Sequence, residues 1–241
     1  MSACATAQQV ANQQSSLHQY RPLPDLDNQE TVVLLHGLNR TARSMRPLAS
    51  SLQANGYSVC NIDYPSRYFE LNVLAMEYVL PRIRNCVTDP SGVLHFVTHS
   101  MGGMLVRSLD AHLSEFTTGH LVMLSPPNKG SEVVDVFAHN RLFMQSAGPA
   151  GSRLGTDPDS LPSTLPQPSM PFGVIAAKHS NSAMSWVLPG DDDGKVTLEN
   201  MKLESMQDFI VIGNTHSFMM RDADAIRQVL HFLRQGKFKH N

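Results

Sequence analysis

VLHFVTHSMGGMLVRSL, residues 93 to 109, passes from an apolar run into a helical stripe with almost no loop between them. Val93 to His99 has the β-branched, continuous apolar character of a strand buried on both faces. Met101, Met104, Leu105, Leu109 and Leu113 then recur at the spacing of one inward helix face. Ser100 stands at the corner, and two readings of it stay open. It is either a hydroxyl lifted on a strained strand-to-helix turn, or a small polar residue capping the helix. A strained turn needs small residues two places to either side. Gly102 meets that need downstream, whereas Thr98 occupies the upstream place usually held by glycine.

Outward from this corner, short apolar runs alternate with helix-period segments, which predicts a mostly parallel sheet covered by helices on both faces. Thr31 to His36 is the first strand. Met45, Leu48, Ala49 and Leu52 mark a helix stopped by Gly56, and Tyr57 to Ile62 is the second strand. Residues 70 to 86 form a helix bent or interrupted at Pro81, because proline removes a backbone donor. His120 to Ser125, Phe172 to Ala177 and Asp208 to Ile212 complete about six strands, and Asp222 to Gly236 frames the last helix. Residues 126 to 171 interrupt this alternation as a lid-like insertion. The expected fold class is α/β, with one domain over residues 31 to 241. Residues 1 to 30, rich in Gln, Ser, Ala and Asn, read as a poorly ordered leader.

Bulk composition excludes several functions. The formal charge is −2, so no basic excess exists to hold a nucleic acid. No apolar run approaches the roughly 18 residues that suggest a transmembrane segment. The three cysteines, Cys4, Cys60 and Cys86, lack CxxC or zinc-ligand spacing, so two buried thiols and one exposed thiol are expected. Met1 to Cys4 resembles the end of a bacterial lipoprotein signal, but the basic and apolar regions of such a signal are missing upstream. The default expectation is a cytoplasmic protein. The alternative is a lipid-anchored or exported one, if Cys4 belongs to a truncated signal.

In an open parallel sheet, chemistry gathers in the loops beyond the carboxyl ends of the strands. LPGDDDGKV, residues 188 to 196, offers a carboxylate, with Asp191, Asp192 and Asp193 indistinguishable by spacing. A solvated acidic turn or a cation site is the alternative, although calcium loops alternate their ligands rather than running them together. IGNTH, residues 212 to 216, offers an imidazole. His216 is singled out among eleven histidines because Ser100, an aspartate and His216 then follow one another in chain order at the ends of the right strands. HGLN, residues 36 to 39, follows the first strand, and the N–H groups of Leu38 and Met101 could meet an oxygen turning negative beside Ser100. His95 and His99 read as packed core residues and Trp186 as a packing anchor. Asp63 and Arg67 read as an ordinary solvated loop, with contact to substrate as the alternative. Val133, Val134, Val136, Phe137, Leu142, Phe143 and Met144 either line an acyl pocket or form the underside of a lid.

LLHGLNRT, THSMGG, SPPNKGSEVVD, DDDGKV and NTHSFMM, in this order, resemble the serine lipases and esterases of the α/β-hydrolase superfamily, especially small bacterial lipase-like hydrolases. The resemblance runs from about residue 31 to the C-terminus. It implies Ser100 as nucleophile, Asp193 as acid, His216 as base, and Leu38 and Met101 as oxyanion donors. A small-molecule or lipid ester is the expected substrate; the modest insertion and its apolar surroundings favour short to medium acyl chains, with Phe143, Met144 and Phe218 as pocket candidates and no cofactor. Calcium-dependent bacterial lipases carry an aspartate two places after the histidine. Phe218 stands there, so no metal site is carried over. The alternatives are an acyltransferase or thioesterase with the same three residues, or a scaffold without catalysis.

Overall fold

The computed structural model describes residues 30–87, 89, 91–178 and 188–240. The expectations for the leader with Cys4 and for Trp186 lie outside these residues. Six strands form one parallel sheet: β1 (Thr31–Leu35), β2 (Ser58–Ile62), β3 (Val93–His99), β4 (Thr117–Leu124), β5 (Phe172–Lys178) and β6 (Asp208–Gly213). Their order across the sheet is β2-β1-β3-β4-β5-β6, with every neighbour parallel.

Period-two alternation divides the strand side chains between two apolar layers. Val33, Leu35, Phe96, Leu121, Met123 and Val174 face one layer, which includes Met104, Leu105 and Leu109 of α4 (Gly102–Leu109). Val32, Leu34, Val97, Val122, Leu124 and Ile175 face the other, against α1 (Arg46–Ala54) and α8 (Ala223–Gln235). Helix α8 is capped at both ends: the Asp222 carboxylate accepts the Ala225 N–H, and Gly236 closes the C-terminus at φ 68°.

The run from residue 71 to 86 is continuous rather than interrupted. Short α2 (Leu71–Val73) widens into a π-helical stretch (Leu74–Val79) and returns to α3 (Leu80–Cys86). Pro81 has no N–H and needs room one turn back. The chain supplies that room by sending the Leu80 N–H to Ala75 O, five residues back. The fourth strand begins at Thr117, ahead of the expected His120, since Thr117 and Thr118 pair with β3 without carrying an apolar signal.

The expectation of free thiols is corrected. Cys60, buried in β2, forms a disulfide with Cys86 at the end of α3, their Cα atoms 6.0 Å apart. The β2–α3 crossover returns over its own strand and brings together cysteines that 26 residues separate. Closing a loop of that size typically adds about 3 kcal/mol. Reduction, or replacement of both cysteines by serine, is expected to lower the urea midpoint accordingly, with unfolding curves in the presence and absence of dithiothreitol as the measurement.

His95 fills the space that a side chain at position 119 would need, and its Nδ1 accepts the His120 N–H at 2.9 Å. An accepting ring nitrogen carries no proton, and burial accordingly lowers the His95 pKa to about 4. The folded value lies below the unfolded one of about 6.5, so this contribution to stability is complete above pH 6.5 and is lost as pH falls toward 4. Urea unfolding across that window is expected to show a declining free energy, with a shallower decline in His95→Gln.

Candidate active site

Ser100 joins β3 to α4 at φ 53°, in the left-handed region that L-residues rarely occupy. Its N–H donates to Leu124 O at the end of β4 (2.9 Å), and its carbonyl accepts the Gly103 N–H (3.0 Å). A Cβ on Gly102 would lie 2.5 Å from Leu35 O and 2.9 Å from His36 O, so the first turn of α4 sits directly on the backbone leaving β1. Thr98, at the place where glycine is usual, is fully buried within β3.

The turn after β6 brings His216 over this corner. Its Nε2 lies 2.9 Å from Ser100 Oγ, and its Nδ1–H donates to Asp193 Oδ2 at 2.6 Å. Asp193 is 1% exposed, and its other oxygen accepts the N–H groups of Lys195 and Val196, each at 3.0 Å. The backbone repeats the connection, since the His216 N–H donates to Asp193 O at 3.0 Å. Asp191 is instead exposed and paired with Lys178 at 2.7 Å, while Asp192 accepts the Gly194 N–H at 2.7 Å. Of the three neighbouring carboxylates, Asp193 is the one that meets the imidazole. Among the described residues no cluster of metal-ligating side chains forms.

His99 acts on this arrangement from below. It is 2% exposed, its Nε2–H donates to His216 O at 2.8 Å, and burial holds its pKa well below the usual histidine value. The main chain of His216 is therefore held on both sides, by Asp193 at its N–H and by His99 at its carbonyl. Periodicity identified His99 as a core residue but carried no signal for this hydrogen bond.

Leu38 follows β1 in a bend fixed by its neighbours. The Tyr64 ring stacks on His36 at 4.0 Å and 7°, the Tyr64 hydroxyl donates to His36 O, and the Asn39 N–H donates to Ser66 Oγ at 3.1 Å. Asn39 takes φ 56°, and a Cβ on Gly37 would lie 2.8 Å from His99 Nδ1. Met101 precedes the first residue of α4, where a helix leaves its leading N–H groups without intrahelical acceptors. A hydroxyl, an imidazole and a buried carboxylate in this order can transfer a proton off the hydroxyl as it attacks a carbonyl.

A cavity of about 240 Å³ opens beside Ser100 and His216, lined by Leu38, Val133, Val134, Phe143, Ala147 and Leu154 among others. The insertion supplies this wall through α5 (Glu132–Val136) and α6 (Arg141–Gly151), and α7 (Leu161–Thr164) follows them. Phe143 reaches the cavity. Met144, one residue on, turns to a separate depression with Arg67 and Tyr68, because successive helical side chains diverge by about 100°. Phe218 is 43% exposed beneath the Arg221 guanidinium, outside the cavity lining. Val136 and Leu142 face solvent. Arg40 and Lys195 also line the cavity, and the sequence reading did not single them out.

No protein-family model matches the sequence, and no curated protein matches it. Solved structures do resemble it. The mature Bacillus licheniformis lipase BlEst2 superposes with a TM-score of 0.65 at 18% identity, over 90% of this chain and 96% of that one. YbtT, a type II thioesterase of the yersiniabactin pathway, gives 0.58 at 15% identity, over 91% and 98%. Phospholipase PlaB from Legionella pneumophila gives 0.61 at 16% identity, over 85% of this chain and 57% of PlaB. These likenesses and the six-stranded parallel sheet establish the α/β-hydrolase fold. Among the described residues no helix is long and apolar enough to cross a membrane.

Two glycines test the corner. Gly102→Ala forces a Cβ against backbone oxygens that have no flexible end to move, whereas a Cβ on Gly103 meets nothing closer than 3.4 Å. Gly102→Ala is expected to lose about 1–3 kcal/mol in urea unfolding, and Gly103→Ala to stay near the parent.

Proposed function

We propose that the protein is a serine hydrolase that cleaves carboxylic esters of short to medium acyl chain through an acyl-enzyme on Ser100. The observation that carries this reading is the unbroken chain from Ser100 Oγ through His216 to the buried Asp193. His216 Nε2 accepts the serine proton as Oγ attacks the carbonyl, and returns it to the departing alcohol. It then takes a proton from water, which attacks the acyl-enzyme and releases the acid. Asp193 keeps the proton of neutral His216 on Nδ1 and stabilises the imidazolium that forms. The N–H groups of Leu38 and Met101 serve as oxyanion donors. The cavity volume of about 240 Å³, below the roughly 300 Å³ of common ligand pockets, supports the short end of the acyl range. The likeness to a thioesterase over nearly the whole chain keeps thioesters as the second substrate reading, with the same residues in the same roles.

A fluorophosphonate probe is expected to label the protein, and Ser100→Ala to abolish labelling while the circular dichroism spectrum is retained. Labelling that survives the substitution would sink the assignment. Asp193→Asn is expected to reduce kcat by about 10⁴-fold, as in other triads where the acid is replaced by its amide. Among p-nitrophenyl esters of increasing length, a maximum at the longest chains would contradict the short-chain reading.

A further inference from the structure

The cavity beside Ser100 does not end at its apolar wall. Asn39, Arg40 and Ser146 line both that cavity and an adjoining groove of about 720 Å³, which Arg67 and Arg82 also line. Lys195 also lines the reaction cavity. Among the described residues, none of Arg40, Arg67, Arg82 and Lys195 forms an ion pair with a carboxylate. The Arg40 guanidinium donates to Ser217 O at 3.4 Å, Arg82 donates to Tyr78 O at 2.8 Å, and Arg67 lies over the Tyr68 ring. Among the described residues the one carboxylate lining the groove is Asp63, which accepts the Ala42 N–H at 2.8 Å and lies 3.4 Å from His36 Nε2.

Four cations around one continuous opening are not a by-product of composition, since the whole chain carries a formal charge of −2. Two of them, Arg40 and Lys195, also oppose each other. Burial, followed by the Arg40 charge, lowers the Lys195 pKa against the opposing pull of Asp193, and both cations add to the burial that depresses His99. With Asp63 in the groove and Asp193 near Lys195 as the neighbouring carboxylates, the cations outnumber the anions, and like charges held together favour an anion between them. Guanidinium groups are the side chains best matched to phosphate oxygens.

We infer that the groove bearing Arg40, Arg67 and Arg82 holds a phosphate on the leaving half of the substrate, so that the natural substrates are acyl esters or thioesters of a phosphorylated alcohol or thiol. This rests on the reading of Ser100 as nucleophile. The acyl chain occupies the apolar cavity walled by Val134, Phe143 and Leu154, and the alcohol or thiol leaves along the groove past Arg40. Its phosphate is separated from the scissile carbonyl by the carbon skeleton of that alcohol or thiol, so the groove contributes to binding and positioning while proton transfer stays with His216.

The test compares substrates that differ only in phosphate. One pair is the butyryl ester of glycerol 3-phosphate and that of glycerol. The other is butyryl-coenzyme A and the neutral butyryl thioester of N-acetylcysteamine. The phosphorylated member of at least one pair is expected to show a kcat/KM about 10-fold higher at low ionic strength, an advantage that shrinks in 0.5 M NaCl as charges are screened. Which pair shows it distinguishes an alcohol source from a thiol source. Arg67→Gln/Arg82→Gln is expected to lower the ratio within that pair. Equal rates within both pairs overturn the inference and leave the hydrolase reading intact. Binding is read separately in Ser100→Ala by calorimetry with glycerol 3-phosphate. Affinity that falls about 10-fold in the Arg67→Gln/Arg82→Gln background supports the groove even if no ester is cleaved. Affinity that is absent, or indifferent to those substitutions, overturns it.

Discussion

Ser100 is held in left-handed backbone at the point where the first turn of α4 meets the carbonyls leaving β1. Such a conformation costs of the order of 1–3 kcal/mol and persists only where the surroundings over-determine it. Here they do. The serine N–H is taken by Leu124 O, its carbonyl by the Gly103 N–H, and the helix that follows buries Met101, Met104, Leu105 and Leu109 completely. Because those side chains are anchored in the layer beneath the sheet, the chain cannot relax the corner without withdrawing them. The hydroxyl therefore stands clear of the strand ends, where a loop from a distant part of the chain can reach it.

That loop is positioned as strictly as the corner. His216 is fixed at its ring by Asp193, at its N–H by the Asp193 carbonyl and at its own carbonyl by His99. A hydrogen bond from His99 Nε2–H requires that His99 donate there, and burial keeps the ring neutral, so Nδ1 is left bare against Gly37. Gly37 in turn begins the bend that carries Leu38. The imidazole beside Ser100 and the loop carrying Leu38 are thus braced by one histidine, and a side chain at position 37 would disturb both.

The insertion is tied down by a different means. Arg107 of α4, 2% exposed, donates to the carbonyls of Asn128, Pro162, Leu165 and Pro166 at 2.6 to 2.9 Å. Burial lowers its pKa to about 10, which still leaves it charged at neutral pH. Four carbonyl dipoles replace the water a guanidinium would otherwise hold, and they draw both ends of the α5–α7 segment onto the helix that follows Ser100. Arg107 is not among the residues that the helical stripe of Met101, Met104, Leu105, Leu109 and Leu113 singles out. Its acceptors are main-chain atoms 21 to 59 residues away, and no residue type announces them.

Legibility from sequence follows the same boundary. The strands, the layers and the corner at Ser100 were readable because burial imposes a period of 2 or 3.6 residues, and a period is a property of many residues at once. The disulfide was not, since Cys60 and Cys86 meet through the path of a crossover and share no local pattern. Between these extremes lie assignments that turn on a single position. Asp191, Asp192 and Asp193 are consecutive, and a tight turn aims their carboxylates at Lys178, at the Gly194 N–H and at His216 respectively. Phe143 and Met144 are consecutive on α6 and open onto different depressions. Composition cannot separate such neighbours, because what distinguishes them is a rotation of the backbone by one residue, and only the tertiary contacts of the turn or helix set that rotation. In the aspartate turn the resemblance to lipases pointed to Asp193 through the Asp-Gly-x-Val spacing. The contacts of that turn supply the physical reason: with Asp193 N–H on Val196 O and its carboxylate on the Lys195 and Val196 amides, this side chain is the one drawn inward, away from water and toward the imidazole.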